Sequence, residues 1–282
     1  MPFIETRDAT NLYYSDWGQG KPVLFAHAWA LNSDMWAYQM PDLLNAGLRC
    51  IAYDRRGHGR SDRPGHGYDY DTFADDLAGV LERLDLRDVT LVGHSVGAGE
   101  VVRYVTRHGA ERVDRAVLLA PPLPLMRKTA DNPDGVEEGL LAASAEALRK
   151  DVPQWCADNA PPFFGRTPVS PGLVDWVVRQ IIDTPLKVLL DTMVAFGTTD
   201  FRAELRSFNV PTLIIHGDLD ASAPIEITGR KTAALIPNCH LTVYEGAGHG
   251  LYASEHDRLN SEVLAFIEGR SLARGAETAV AM

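Results

Sequence analysis

The sequence is short of cysteine, of positive charge and of long apolar runs, and each shortage removes a class of protein. Cys50, Cys156 and Cys239 are the only cysteines in 282 residues, an odd number with no C-x-x-C pair. That argues against a disulfide framework and against a thiolate metal site, and it reads the thiols as small apolar fillers in a reducing compartment. Lys and Arg total 27 against 38 Asp and Glu, a formal net charge of −11. Nucleic acid and anionic membrane surfaces are therefore poor partners. The opening Met1-Pro-Phe-Ile-Glu-Thr-Arg-Asp8 lacks the apolar core of a secretion signal, and no later run reaches spanning length. The expectation is a cytoplasmic protein. His27, His94 and His216 fall near strand ends, but no H-x-x-x-H or H-E-x-x-H occurs, and Gly57-His-Gly59 lacks the G-K-[ST] of a phosphate cradle. No metal and no cofactor is expected.

What is present is an ordinary globular composition, 45% hydrophobic and 23% charged, with no internal repeat. Apolar runs over 3–4, 12–14, 22–26, 48–53, 89–92 and 113–119 read as strands. Helical patterns lie between the later ones, over 35–45 with Ser33 and Asp34 as caps, from Asp71 onward, and over 100–108. Such alternation predicts a parallel sheet with helices on both faces and a ligand site at the carboxyl ends of the strands. Residues 121–205 break the pattern with helices only, clearest over 136–150, 172–182 and 186–196, and read as a cap over those strand ends. Strands resume at 210–215 and 240–244, with helices over 224–235 and 255–268. The expectation is an α/β core of 1–120 and 206–270 with eight strands, a helical cap, and a flexible tail of 271–282.

The chemistry centres on Gly93-His-Ser-Val-Gly97. A strand before G-x-S-x-G and a helix after it form a nucleophile elbow, which lifts Ser95 out of the sheet toward the N–H groups of a helix start. A serine hydroxyl needs a base, and the base needs an orienting carboxylate. On this topology they follow in the order Ser, Asp or Glu, His, each at a strand end. His249, between Gly248 and Gly250, follows the last strand of the core, and Asp220 follows the strand before it. Separately, Ser95 reads as a helix cap, His249 as a solvated loop residue and Asp220 as a turn residue before Pro224. Their order is what joins them. Asp218 rivals Asp220 for the carboxylate, and its place nearer the strand end suits it to cap the loop N–H groups instead. An oxyanion needs two N–H donors, expected from Val96 and from the 27–30 loop, most simply Trp29, whose indole also suits a pocket wall.

These residues resemble the α/β-hydrolase superfamily, and more narrowly the bacterial aryl esterases and cofactor-free (non-haem) haloperoxidases, also called perhydrolases. The likeness runs from Tyr13 to about Ile267 and includes Asp54-Arg-Arg-Gly-His-Gly-Arg-Ser61 and Asp131-Asn-Pro-Asp-Gly135. It implies an α/β-hydrolase fold, a triad of Ser95, Asp220 and His249, and oxyanion donors Trp29 and Val96. It implies a small ester or lactone as substrate, no cofactor, and peroxide in place of water as a second acyl acceptor. A second copy of the chain is a possible partner. A serine in the nucleophile position speaks against haloalkane dehalogenation, which uses a carboxylate there. The chain departs from the family's usual Gly at Ala28, Pro at Ala30 and Phe at His94. Ala28 alters the oxyanion loop if its position requires a positive φ.

Overall fold

The carboxyl ends of six parallel strands meet along one edge, and the register explains why. A computed structural model describes residues 2–271 and the backbone of 276–278. The strands are β1 (Phe3–Glu5), β2 (Asn11–Trp17), β3 (Pro22–Ala26), β4 (Arg49–Tyr53), β5 (Val89–His94), β6 (Val113–Leu119), β7 (Thr212–Gly217), β8 (Cys239–Tyr244) and β9 (Ala276–Thr278), in the spatial order β1-β2-β4-β3-β5-β6-β7-β8-β9. From β4 to β8 all pairs are parallel, and β1/β2, β2/β4 and β8/β9 are antiparallel. Ala26 stands beside Gly93, His94 beside Leu119, Leu119 beside Ile215, and Gly217 beside Tyr244. The loops that follow β3, β5, β7 and β8 therefore leave the sheet side by side.

Eight strands are those read from the sequence. β9 is an addition from the segment expected to fray, and 272–275 and 279–282 of that tail lie outside the described residues. Alternate residues of the strands feed two apolar layers. Leu24, Leu91, Leu118 and Ile214 face α2 (Tyr70–Arg83) and α3 (Val96–His108) through Phe73, Leu77 and Val101. Phe25, Val92, Leu119 and Ile215 face the opposite side, toward Met40, Leu43, Leu259 and Phe266. Each such side chain removed from water stabilises the fold by about 1.5–3 kcal/mol.

Several helices differ from their sequence reading. The expected helix over 35–45 is a 3-10 turn, Ser33–Tyr38, followed by α1 (Met40–Asn45). Pro41 has no N–H and sets a new helix start. The cap is Asn32, whose side chain accepts the Asp34 N–H, rather than Ser33 or Asp34. Between β6 and β7 lie α4 (Glu138–Lys150), α5 (Val152–Phe163), α6 (Pro171–Asp183), α7 (Leu186–Thr198) and α8 (Arg202–Arg206). α5 escaped the sequence reading because it carries Pro161 and Pro162, yet both fall in its last turn, and Asp151 caps its start by accepting the Gln154 N–H at 3.0 Å. The helix expected over 224–235 shortens to α9 (Gly229–Leu235), whereas the closing helix expected over 255–268 is α11 (His256–Ile267), preceded by a short α10 (Leu251–Ser254) that the sequence did not mark. Among the described residues, no helix is long and apolar enough to cross a membrane.

Candidate active site

Ser95 sits between β5 and α3 with φ 55° and ψ −116°, a conformation that costs a non-glycine residue about 1–3 kcal/mol. The surroundings enforce it. The Ser95 N–H donates to Leu119 O at 2.8 Å, and its carbonyl accepts the Ala98 N–H at 2.9 Å. A Cβ on Gly93 would lie 2.4 Å from Gly97 O, and one on Gly97 would lie 2.2 Å from Ala26 O. Only glycine lets the turn close this tightly against itself and against β3.

Asp220 lies in the loop after β7 and is buried. Its Oδ1 accepts the N–H groups of Ser222 at 2.9 Å and Ala223 at 2.8 Å. Its Oδ2 stands 2.7 Å from His249 Nδ1 and 3.1 Å from His216 Nε2. Burial alone would push this carboxyl up. The electrostatic pull and hydrogen bonds of the His249 and His216 rings outweigh that and hold it well below the usual carboxylate range. Asp218 points elsewhere and takes the Gly246 N–H on its Oδ1 at 2.6 Å, so Asp220 is the carboxylate that meets the imidazole.

His249 is held from three sides. Asp220 takes its Nδ1, His94 Nε2 lies 2.9 Å from its carbonyl oxygen, and the Gly250 N–H donates to Phe163 O at the end of α5 at 2.7 Å. A carbonyl accepts, so His94 carries its proton on Nε2, and burial pushes its imidazole down to about 3. Ser95 and His249 border one cavity of about 310 Å³ and make no hydrogen bond to each other in this structure. With Nδ1–H given to Asp220, the imidazole presents an unprotonated Nε2, the form a general base requires.

Leu141 of α4, Trp155 of α5, Ile181 of α6 and Phe196 of α7 all line that cavity, so every one of these four helices forms part of its wall. No Asp, Glu, Lys or Arg among the described residues lines it. Trp29 and Trp155 meet edge to face at 5.3 Å, and the Trp29 indole donates to Leu189 O at 2.9 Å. The Asp131-Asn-Pro-Asp-Gly135 string shapes another part of the wall. Asn132 Nδ2 donates to Leu125 O and Arg127 O, and the Val136 N–H donates to Met126 O at 2.7 Å, which sets Met126 and Val136 against the cavity.

A family model for the alpha/beta hydrolase fold matches residues 21–255. The chain belongs to the α/β-hydrolase family. Within it, the sequence is 44% identical over 273 residues to a non-heme chloroperoxidase of Kitasatospora aureofaciens, covering 95% of this chain and 99% of the relative. It is 41% identical over 275 residues to a bifunctional esterase/perhydrolase of Acinetobacter calcoaceticus, covering 95% and 99%. The crystal structure of a bromoperoxidase from Bacillus anthracis superposes with a TM-score of 0.91 at 38% identity, over 95% of this chain and 99% of that one.

In this α/β-hydrolase the loop after β3 departs from expectation at one position. Ala28 does not have a positive φ, whereas Ala30 does, at 61°. A proline, locked near −65°, has no access to that backbone. The N–H groups of Trp29 and Val96 have no acceptor among the described residues. The Ala28–Trp29 peptide is set from behind. His27 Nε2 accepts the Arg55 N–H at 2.9 Å, which leaves the ring proton on Nδ1 to donate to Ala28 O at 2.8 Å. Arg55 is in turn paired with Glu100 of α3 at 2.5 Å with both side chains fully buried, and Arg56 is paired with Asp76 at 2.6 Å. The Asp54–Ser61 string is thus a buried ion-pair scaffold for the loop beside Ser95. Sequence reasoning met His94 as a strand-end histidine and as a departure from the family's usual Phe, and did not find its hold on the His249 backbone or the parts played by His27, Arg55 or Phe163. Nothing local marks Phe163.

Proposed function

We propose that this α/β-hydrolase is a serine hydrolase that cleaves small carboxylic esters or lactones through an acyl-enzyme. Ser95 attacks the carbonyl, His249 takes the proton and returns it to the leaving alcohol, and Asp220 fixes the tautomer and supports the imidazolium. The N–H groups of Trp29 and Val96 receive the oxyanion, an assignment supported by their lack of any other acceptor. Water then releases the acid. Hydrogen peroxide in the same position releases a peracid, in keeping with the esterase/perhydrolase named among the relatives. We read residues 121–205 as a cap, because α4 to α7 each contribute side chains to the cavity wall.

The observation that carries this reading is the 2.7 Å contact between His249 Nδ1 and a buried Asp220, on a loop that borders the same cavity as Ser95. The apolar, uncharged lining favours neutral esters over ionic substrates. Ser95→Ala is expected to abolish p-nitrophenyl acetate turnover while leaving the melting temperature near that of the parent. A Ser95→Ala protein that hydrolyses at the parent rate would end the assignment.

A further inference from the structure

The cavity bordered by Ser95 and His249 holds more sulfur than the hydrolysis uses. Met126, Met193 and Cys156 all line it. Six methionines occur in the sequence. Of the four among the described residues, Met35 and Met40 lie in the apolar layer beneath β3 and β4 and do not reach the cavity. Two methionines therefore line the cavity in which a peracid would form, and two serve as buried comparisons within the same molecule.

We propose that Met126 and Met193 are oxidation sites, converted to sulfoxide by the peracid made at Ser95, so that perhydrolysis modifies and slows its own enzyme. This rests on the perhydrolase reading above. Hydrogen peroxide displaces Ser95 from the acyl-enzyme and leaves a peracid in the cavity. A methionine sulfur then attacks the terminal peroxy oxygen. An S–O bond forms, the O–O bond breaks, and the hydroxyl proton passes to the departing carboxylate, which leaves as the carboxylic acid. The sulfur loses two electrons and the peroxy bond gains them.

Three features of the cavity favour transfer at these sulfurs. Its lining carries no charged side chain to draw the neutral peracid away, and helices α4 to α7 wall it with mostly apolar side chains. A thioether reacts without losing a proton, whereas a thiol reacts as its thiolate. Burial pushes the Cys156 thiol up to about 11, so Cys156 stays protonated and slower than its neighbours. The consequence falls on the site itself. Met193 packs with Ala30, Leu148 and Leu189 against Trp29, and a sulfoxide places a polar S=O in that apolar cluster.

The test uses the full-length protein with acetate and hydrogen peroxide in halide-free buffer. Peracid yield is measured in one sample. In a parallel sample, excess free methionine intercepts any peracid that has escaped, and peptide mass spectrometry follows each methionine. The expected result is a gain of one oxygen at Met126 and Met193, severalfold faster than at Met35 and Met40. That gain is absent from Ser95→Ala and from parent protein given peroxide without acetate. A Met126→Leu/Met193→Leu double variant, followed relative to its own initial rate, is expected to complete severalfold more turnovers before its rate halves. Peracid formation with Met126 and Met193 unmodified, or equal oxidation in Ser95→Ala, overturns the proposal. No peracid at all removes the perhydrolase reading, and this inference with it, and the parallel yield tells the two failures apart.

Discussion

Replacing Asp220 by Asn changes one atom and, by the geometry here, the proton on His249. The side chain has two unlike ends. Oδ1 faces two donors, the N–H groups of Ser222 and Ala223, and Oδ2 faces His249 Nδ1 and His216 Nε2. An asparagine satisfies the two backbone donors only with its oxygen on the Oδ1 side. The opposite rotamer sets an amide NH₂ against two N–H groups, at a cost of about 1–3 kcal/mol for each buried group left unpaired. The NH₂ therefore points at His249 Nδ1, which has to accept. The ring proton moves to Nε2, and the nitrogen that should receive the serine proton already holds one. A wrong tautomer of this kind lowers kcat by about four decades in a Ser-His-Asp triad, or about 5 kcal/mol of barrier at ~1.4 kcal/mol per decade. Initial rates on p-nitrophenyl acetate, with a melting curve to show that the fold persists, measure the effect. Asp218→Asn is the matched control, because an asparagine there still accepts the Gly246 N–H, and its kcat is expected to stay at the parent value. If Asp220→Asn kept the parent kcat, or Asp218→Asn lost as much, the tautomer argument would be wrong.

Three further outcomes follow from the same geometry. Gly97→Ala drives a Cβ to 2.2 Å from the backbone oxygen of Ala26, where no flexible group can yield; the unfolding free energy from urea titration is expected to fall by at least the ~1–3 kcal/mol typical of overpacking, and an unchanged urea midpoint would contradict the close approach. His94→Phe removes the donor to His249 O, so stability is expected to drop by about 1–3 kcal/mol and kcat to fall with it; a variant equal to the parent in both would show that the contact positions nothing. Acid should unfold the protein steeply. His27 is held well below its ordinary value by burial, and His58 and His94 are pushed down to about 3 by the same cause. Each folded-state value is depressed, so the unfolded chain binds the extra proton and stability is lost as pH falls below about 6.5, at up to ~1.4 kcal/mol per pH unit per histidine. Asp76, pushed up to about 6 by burial, and Glu100 and Glu204, also raised by burial, act with the opposite sign and offset part of this loss until the pH falls below their ordinary values. Denaturation midpoints between pH 7 and 4 test the net direction, and stability that rises on acidification would refute it.

The core elements were legible because their signals are local. β5 is a continuous apolar run, α2 carries Phe73, Leu77 and Leu81 at helical spacing, and Gly93 and Gly97 bracket a serine where only glycine allows the turn. Elements set by their neighbours were not legible. α5 reads as proline-broken until its end is seen docking on the His249 loop, and β9 exists through pairing with β8, a partner more than thirty residues away. Ala28 carried the concern about backbone strain, whereas the strain lies at Ala30.

By itself, the order of residues determined the alternation of strands and helices, the tight turn at Ser95 and the chain order of Ser95, Asp220 and His249, because periodicity and turn chemistry act over a few residues. Tertiary structure alone decided that Asp220 rather than Asp218 meets the imidazole. It also decided that His94 holds the His249 backbone, and that four helices close over an uncharged cavity. Those are distances between segments far apart in the chain, and they exist only once the parallel register has brought the strand ends to one edge.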